Sequence, residues 1–270
     1  MSGYTLPCVR GTSKMLSMFK MNILKQYFEF KRYFFNTLLE VISLYIVLMG
    51  LLLGFSMVGG EVDHFEEKME YVVAGYIIWI ISYTAVQAIG YEVYNDLQRG
   101  TLDQLYMTPL PVWQIMLGRM VGNVMFRIVG VVLLLLLSMV TTGIYLYFDL
   151  LTLLPIFLVT LISMFGVGYM VAGLCLLLKQ VSNLLMFSQL LMMSVIYIPL
   201  ESAPYLKYLP FIYGVDLLKK TMLYEAHLID FSLWQYGFLA LNSLFYFILG
   251  IYCYSLCEKT ALDRGILGKY

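Results

Sequence analysis

"YVVAGYIIWIISYTAVQAIGYEVYNDLQRGTLDQLYMTPL", residues 71–110, joins two kinds of chain in one stretch. Residues 71–91 contain no Asp, Glu, Lys or Arg. As a helix rising 1.5 Å per residue, such a run crosses a hydrocarbon core of about 30 Å. The chain then turns polar, Gly100 breaks the helix, and a short segment with its own helical pattern runs up to Pro109. A span that ends in a separate, polar-edged helix reads as a membrane element with a device attached.

Outward from this stretch, five more runs lack the four charged residue types: 41–60, 128–148, 150–178, 181–200 and 231–257. The 270-residue chain is 61% hydrophobic and 13% charged, with a mean hydropathy of +0.82. A soluble domain of this length needs about twice that share of charge to cover its surface. The expected fold is therefore an all-α integral membrane protein, one permease-like domain over 1–270. Its six transmembrane helices fall at about 38–58, 71–91, 121–146, 152–178, 181–199 and 233–257.

Charge is balanced overall and uneven along the chain. Arg10, Lys14, Lys20, Lys25, Lys31 and Arg32 precede the first span, and Arg99, Arg119 and Arg127 lie between the second and third. Lys179 follows the fourth span, and Lys259, Arg264 and Lys269 end the chain. The opposite side holds only Lys68, Lys207, Lys219 and Lys220. Thirteen cations against four put both termini in the cytoplasm of a multi-pass cell-membrane protein. No cleavable signal peptide is read in residues 1–36, because their cations spread along an amphipathic pattern.

Residues 14–36 form that pattern. Leu16, Phe19, Ile23, Tyr27, Phe30 and Phe34 share one helical face, opposite Lys14, Asn22, Lys25, Glu29, Arg32 and Asn36. The expectation is a helix lying in the cytoplasmic interface with the aromatic face turned to the lipid. The acidic connection 61–70 lacks the alternating Asp/Asn and central Gly of a calcium loop and reads as a solvated outer loop. Residues 200–230, with Pro204 and Pro210 and a helical pattern from Val215 to Tyr224, are expected to re-enter the outer half of the membrane between spans five and six. The alternative is a helix resting on the outer interface. Cys253 and Cys257 share a helix face, but His64 and His227 belong to the opposite side, so these cysteines read as packing and no metal is expected. No nucleic-acid partner is expected.

Within the stretch that follows the second span, "TLDQ" has the form of a capping box, with Thr101 capping the next turn and Gln104 reaching back. Leu102, Leu105 and Tyr106 share one face of the two-turn helix, 101–108, that Pro109 stops. A short helix held below the membrane with an apolar face reads as a docking element.

Here the chain resembles the type-2 permease subunits of ATP-binding-cassette (ABC) exporters along its whole length. The resemblance is carried by Glu92, then Gly100-Thr101-Leu102-Asp103-Gln104-Leu105, then Thr108-Pro109-Leu110, and by the "PVWQIMLGRM" lead into span three. Asp103 stands where that family's wording has Glu. The resemblance implies that Gly100, Thr101, Leu102, Gln104, Leu105 and Tyr106 form a coupling helix seated in a separate ATPase subunit. It implies two ATPase copies, a second permease copy as homodimer or heterodimer, and ATP and magnesium bound by the ATPase. This chain needs no cofactor of its own and is not an enzyme; its only Gly-Lys pair, Gly268-Lys269, is followed by Tyr270 and makes no phosphate loop.

Polar residues inside spans mark where substrate could pass. Tyr76, Tyr83 and Gln87 fall on one stripe of span two, and Ser182, Met186, Gln189 and Met193 on one stripe of span five. Both stripes could instead be helix-packing seams. In the resembled family these spans line the pathway. Glu40 and Arg127 are read as a structural pair at the inner membrane edge. The wording of the motif implies export of a drug, antibiotic or lipid-like amphiphile; a polysaccharide or lipid-linked glycan is the alternative. An ATP-independent secondary transporter would need a mid-membrane acidic relay, and no acid lies there.

Overall fold

The computed structural model describes residues 11–58, 65–108, 111–178 and 181–263. Cys8, part of the acidic outer connection, Pro109 and Gly268-Lys269 lie outside them, as do the side chains of Lys14, Leu16, Phe19 and Asp103. Among the described residues the fold is helical throughout, with no strand. In chain order the helices are α1 (Gly11–Arg32), α2 (Phe34–Val58), α3 (Phe65–Gln98), α4 (Leu102–Tyr106) and α5 (Val112–Thr142). They are followed by α6 (Leu150–Leu177), α7 (Val181–Ile196), a 3₁₀ turn (Pro204–Tyr208), α8 (Ile212–Tyr224) and α9 (Leu233–Asp263).

Five helices, α2, α3, α5, α6 and α9, are long and apolar enough to cross a membrane. The sixth expected span is shorter than its apolar run. α7 has 16 residues, about 24 Å, because Pro199 cannot donate a helical hydrogen bond and disfavours helix at Ile198. α6 stays within its apolar run, while α2, α3, α5 and α9 begin or end outside theirs, α3 and α9 with last turns that carry polar residues.

α3 is the central helix. In its most apolar window 78% of the residues are buried, against 17% for α2 and 22% for α9. It lies against α5, α6 and α7, while α6 fills the space between α3 and α9. Small residues make that possible. A Cβ on Gly166 would strike the backbone of Tyr246 and Phe247, and one on Gly250 would strike the backbone of Gly166. α6 and α9 thus meet backbone to backbone, the packing that membranes favour where the hydrophobic effect no longer drives helices together. α5 ends at Gly143, whose φ of 71° admits no ordinary side chain without strain, and its amide donates to the Met139 carbonyl at 3.0 Å. Asp149 caps α6 by accepting from the Leu151 amide at 3.0 Å and the Thr152 hydroxyl at 2.6 Å. The Thr152 hydrogen bond, with the His227 ring at 3.4 Å and the Leu151 amide, holds the Asp149 carboxyl below its usual range.

α1 packs differently from the face expected of it. Asn22 and Gln26 lie against Gly122 of α5, and Phe30 meets the Phe126 ring at 5.9 Å. Met21, Leu24 and Phe28 point away, 43–61% exposed, between Lys20 and Lys31 on one flank and Lys25 and Arg32 on the other. Of the expected aromatic face, Phe30 is taken by α5 while Tyr27 and Phe34 stay exposed, and Met21, Leu24 and Phe28 form a second open apolar stripe beside it. Periodicity had revealed a face but not which of two neighbours covers it.

On the far end of the molecule from α4, α8 packs on α6 and α3. A Cβ on Gly214 would strike Thr160, and the Phe211 amide donates to the Ser163 hydroxyl at 2.9 Å. Thr160 sits ten residues into α6, about 15 Å from its start. Lys219 is 6% exposed, donates to the Ile196 carbonyl at the end of α7 at 2.6 Å and to the Tyr71 hydroxyl at 3.0 Å, and lies 4.2 Å from the Tyr71 ring centre. A buried ammonium at the negative end of a helix, over an aromatic face, has most of its lost hydration replaced.

Candidate functional site

The break between α3 and α4 is built by Gly100. At φ +63° its amide donates to the Leu97 carbonyl at 3.2 Å, and the next amide, of Thr101, donates to the Asp96 carbonyl at 2.9 Å. These paired bonds close α3 in a Schellman motif. They also undo the expected capping box. The Thr101 amide is already taken, its backbone is helical (φ −98°, ψ −6°), and its hydroxyl turns back to Asp96 at 3.2 Å instead of capping α4. An N-cap needs extended backbone, which the preceding cap denies it.

α4 is held from several sides. Leu102 is 2% exposed, Leu105 and Tyr106 are half-buried against the core, and Tyr106 lies beside Tyr254 and Glu258 of α9. The apolar face read from the sequence as a docking face is therefore largely turned into this chain. Gln104, Met107 and Thr108 face outward, Met107 85% exposed. Below them sits a charge cluster. The Arg119 guanidinium of α5 reaches Asp96 at 2.5 Å and Glu92 at 3.3 Å, and Lys25 of α1 lies 3.9 Å from Glu92. Glu92, read only as a motif residue, proves to be the point where α1, α3 and α5 are tied together. Asp96 and Arg119 carry that tie with it, and no local spacing in the sequence joins residues 23 and 27 positions apart.

The candidate pathway residues divide. Tyr83, Gln87 and Gln189 line one cavity of about 450 Å³ between α2, α3, α5 and α7, on the α4 side of the molecule. Gln87 is 2% exposed and donates to the Leu185 carbonyl at 2.6 Å and the Ser188 hydroxyl at 3.2 Å, which ties α3 to α7. Tyr76 is not in the cavity: fully buried, it donates to the Leu44 carbonyl of α2 at 2.9 Å. Ser182 and Met186 face outward from α7, and Met193 lines a separate apolar groove with Tyr71 and Tyr197. The seam by which α7 packs is Val181, Leu185, Met192 and Ile196.

Glu40 and Arg127 do pair, and they stand at a wall: with Thr84 and Asn123 they line both the 450 Å³ cavity and a neighbouring one of about 250 Å³ bounded by α1. Asn95 and Asn123, on neither predicted stripe, also line the larger cavity. The signal that could have found Asn123 was its amide within an otherwise apolar helix. Among the described residues no group of three or more His, Cys, Asp or Glu could hold a metal ion.

No protein of curated function matches the sequence. The family model for the ABC-2 type transporter matches residues 18–223, from α1 through α8. That span takes in the broken α3–α4 junction, the charge cluster beneath it and the polar cavity. The chain belongs to the ABC-2 type transporter family, whose members are the membrane-spanning permeases of ABC-type transporters and work with a separate ABC ATPase.

Proposed function

We propose that the chain exports an amphipathic substrate out of the cytoplasm, across the cell membrane, as one of two permease copies served by two ATPase subunits. ATP and magnesium are bound and used in those subunits. Residues 101–108 are the coupling element, and Gln104, Met107 and Thr108 supply its contact surface, with Leu102 fastening it from behind. The observation that carries this reading is the tie between α4 and the cavity. Through Asp96 and Glu92, Arg119 fixes the end of α3 next to α4, and the same rigid helix presents Tyr83 and Gln87 to the cavity 9–13 residues away. A displacement of α4 is therefore delivered to the cavity wall across the three-residue joint 99–101 alone.

The basic asymmetry supports cytoplasmic termini and a cytoplasmic α4. The depth at which α8 meets Thr160 supports re-entry of the 200–230 segment into the membrane, and α7, completed by that segment, supports six spans. The test is Met107→Asp. It adds a carboxylate at an exposed position, so insertion and folding should be unchanged, while a buried unpaired charge at a protein contact costs several kcal/mol. Loss of ATPase co-purification and of transport is the expected result. A Met107→Asp permease that retains its ATPase and transports at full rate would remove the coupling role.

A further inference from the structure

The 450 Å³ cavity has an unusual lining. Of its eleven residues only Ala88 lacks a hydrogen-bonding group. The side chains of Asn95, Asn123 and Gln189 find no hydrogen-bond partner among the described residues. Asn123 and Gln189 are half-buried on apolar helices, where amides are costly to leave without partners and mark a place where something polar comes and goes, while the exposed Asn95 stands at the cavity mouth. The charges are already matched. Arg127 is paired with Glu40, and Glu92 with Arg119 and Lys25, so the cavity offers no free charge to a net-charged guest. What it does offer is planar groups that donate and accept side by side, together with the rings of Tyr83 and Tyr91. Neighbouring hydroxyls on a sugar ring need a donor and an acceptor at each position, and the ring's C–H face packs on an aromatic one.

We propose that this cavity binds the uncharged, polyhydroxylated head of a glycosylated amphiphile. The head sits among Asn95, Asn123 and Gln189, and Tyr83 and Tyr91 pack on its apolar face. The inference rests on the transport reading above and narrows its substrate class. It also gives the Glu40–Arg127 pair a part. The pair is a neutral hydrogen-bonding wall, not a reader of charge.

The test uses the full-length permease in lipid nanodiscs without the ATPase, so a failure of ATPase docking is scored separately. The probe is a photoreactive dodecyl glucoside. Competitors carry the same chain on a glucoside, a trimethylammonium, a phosphocholine or a dipeptide head. Crosslinks are expected within residues 83–95 and 119–127, with the glucoside competing about tenfold better than any other head, the effect of roughly one well-made hydrogen bond. Asn123→Leu and Gln189→Leu should each weaken binding about tenfold, and Met186→Ala should leave it unchanged. Equal competition by the cationic, phosphocholine or peptide head overturns the proposal, as do crosslinks on the unmutated chain that fall elsewhere. The crosslink map needs no variant, so a misfolded variant does not blunt the test.

Discussion

Arg119 on α5 and Asp96 on α3 stand 2.5 Å apart, both side chains about 15% exposed, and Asp96 in turn holds the Thr101 hydroxyl. One guanidinium thus fixes the last turns of α3, the joint and the start of α4. Arg119→Leu leaves Asp96 and Glu92 with a missing partner in a half-dry site. It should lower stability by roughly 1.5–3 kcal/mol, the worth of hydrogen bonds to charged groups, and uncouple ATP use from transport. Thermal unfolding in detergent and coupled transport are the measurements. Unchanged values for both would mean that the cluster is ornamental.

Gly100→Val should act on the joint alone. Nothing lies within 4 Å of where its Cβ would stand, so the cost comes from φ +63° and amounts to about 1–2 kcal/mol. Thr101→Ala should be milder, since it removes one hydroxyl bond to Asp96, worth about 0.5–1.5 kcal/mol, and no cap of α4. A Thr101→Ala variant as impaired in transport as Gly100→Val would contradict that ranking.

Leu102→Ala should cost about 2–5 kcal/mol, since a 2%-exposed side chain leaves a cavity behind it. Gln104→Ala, at an exposed position, should stay within about 0.5 kcal/mol in stability while still weakening the ATPase contact. The comparison of melting temperature with ATPase pull-down separates the fastening residue from the contact residue.

Gly250→Leu should break the crossing of α6 and α9. Overpacking costs typically 1–3 kcal/mol where neighbours can yield, and here the obstacle is backbone. Gly237→Ala, with open space around its Cβ, is the matched control. Equal stability of the two variants in detergent would show that the helices do not meet at these glycines.

Topology is read in a cysteine-free background. A cysteine at Tyr205, 72% exposed, should react with a membrane-impermeant thiol reagent in intact cells, and one at Gln104 should react only after permeabilisation. Labelling of Gln104 from outside would reverse the orientation.

The apolar runs were legible because a membrane span needs only length and composition, and the joint was legible because Gly100 and Pro109 are hard punctuation. Three things were not. The face of Leu102, Leu105 and Tyr106 announced burial, but periodicity is silent on whether the burying surface belongs to the same chain. The "TLDQ" box was overridden by the cap of the preceding helix, which claimed the Thr101 amide first. The cavity draws Glu40, Tyr83, Asn123 and Gln189 from four helices, so no window of sequence contains it. Stripes on single helices therefore caught Tyr83, Gln87 and Gln189 together with residues such as Tyr76 that serve only packing.

α7 spans about 24 Å where a hydrocarbon core is about 30 Å thick, and its C-terminal end stops at a carbonyl held by the Lys219 ammonium. With α7 as the sixth span of the proposed topology, the apolar length beside it is shorter by the difference, and the Lys219 ammonium and the Tyr71 hydroxyl stand at its end. The electrostatic cost of carrying a hydrated group through oil grows with the thickness of oil to be crossed. On the proposed transport reading, a cargo leaving along α7 would meet a narrower dielectric barrier than one leaving along any of the five longer apolar helices.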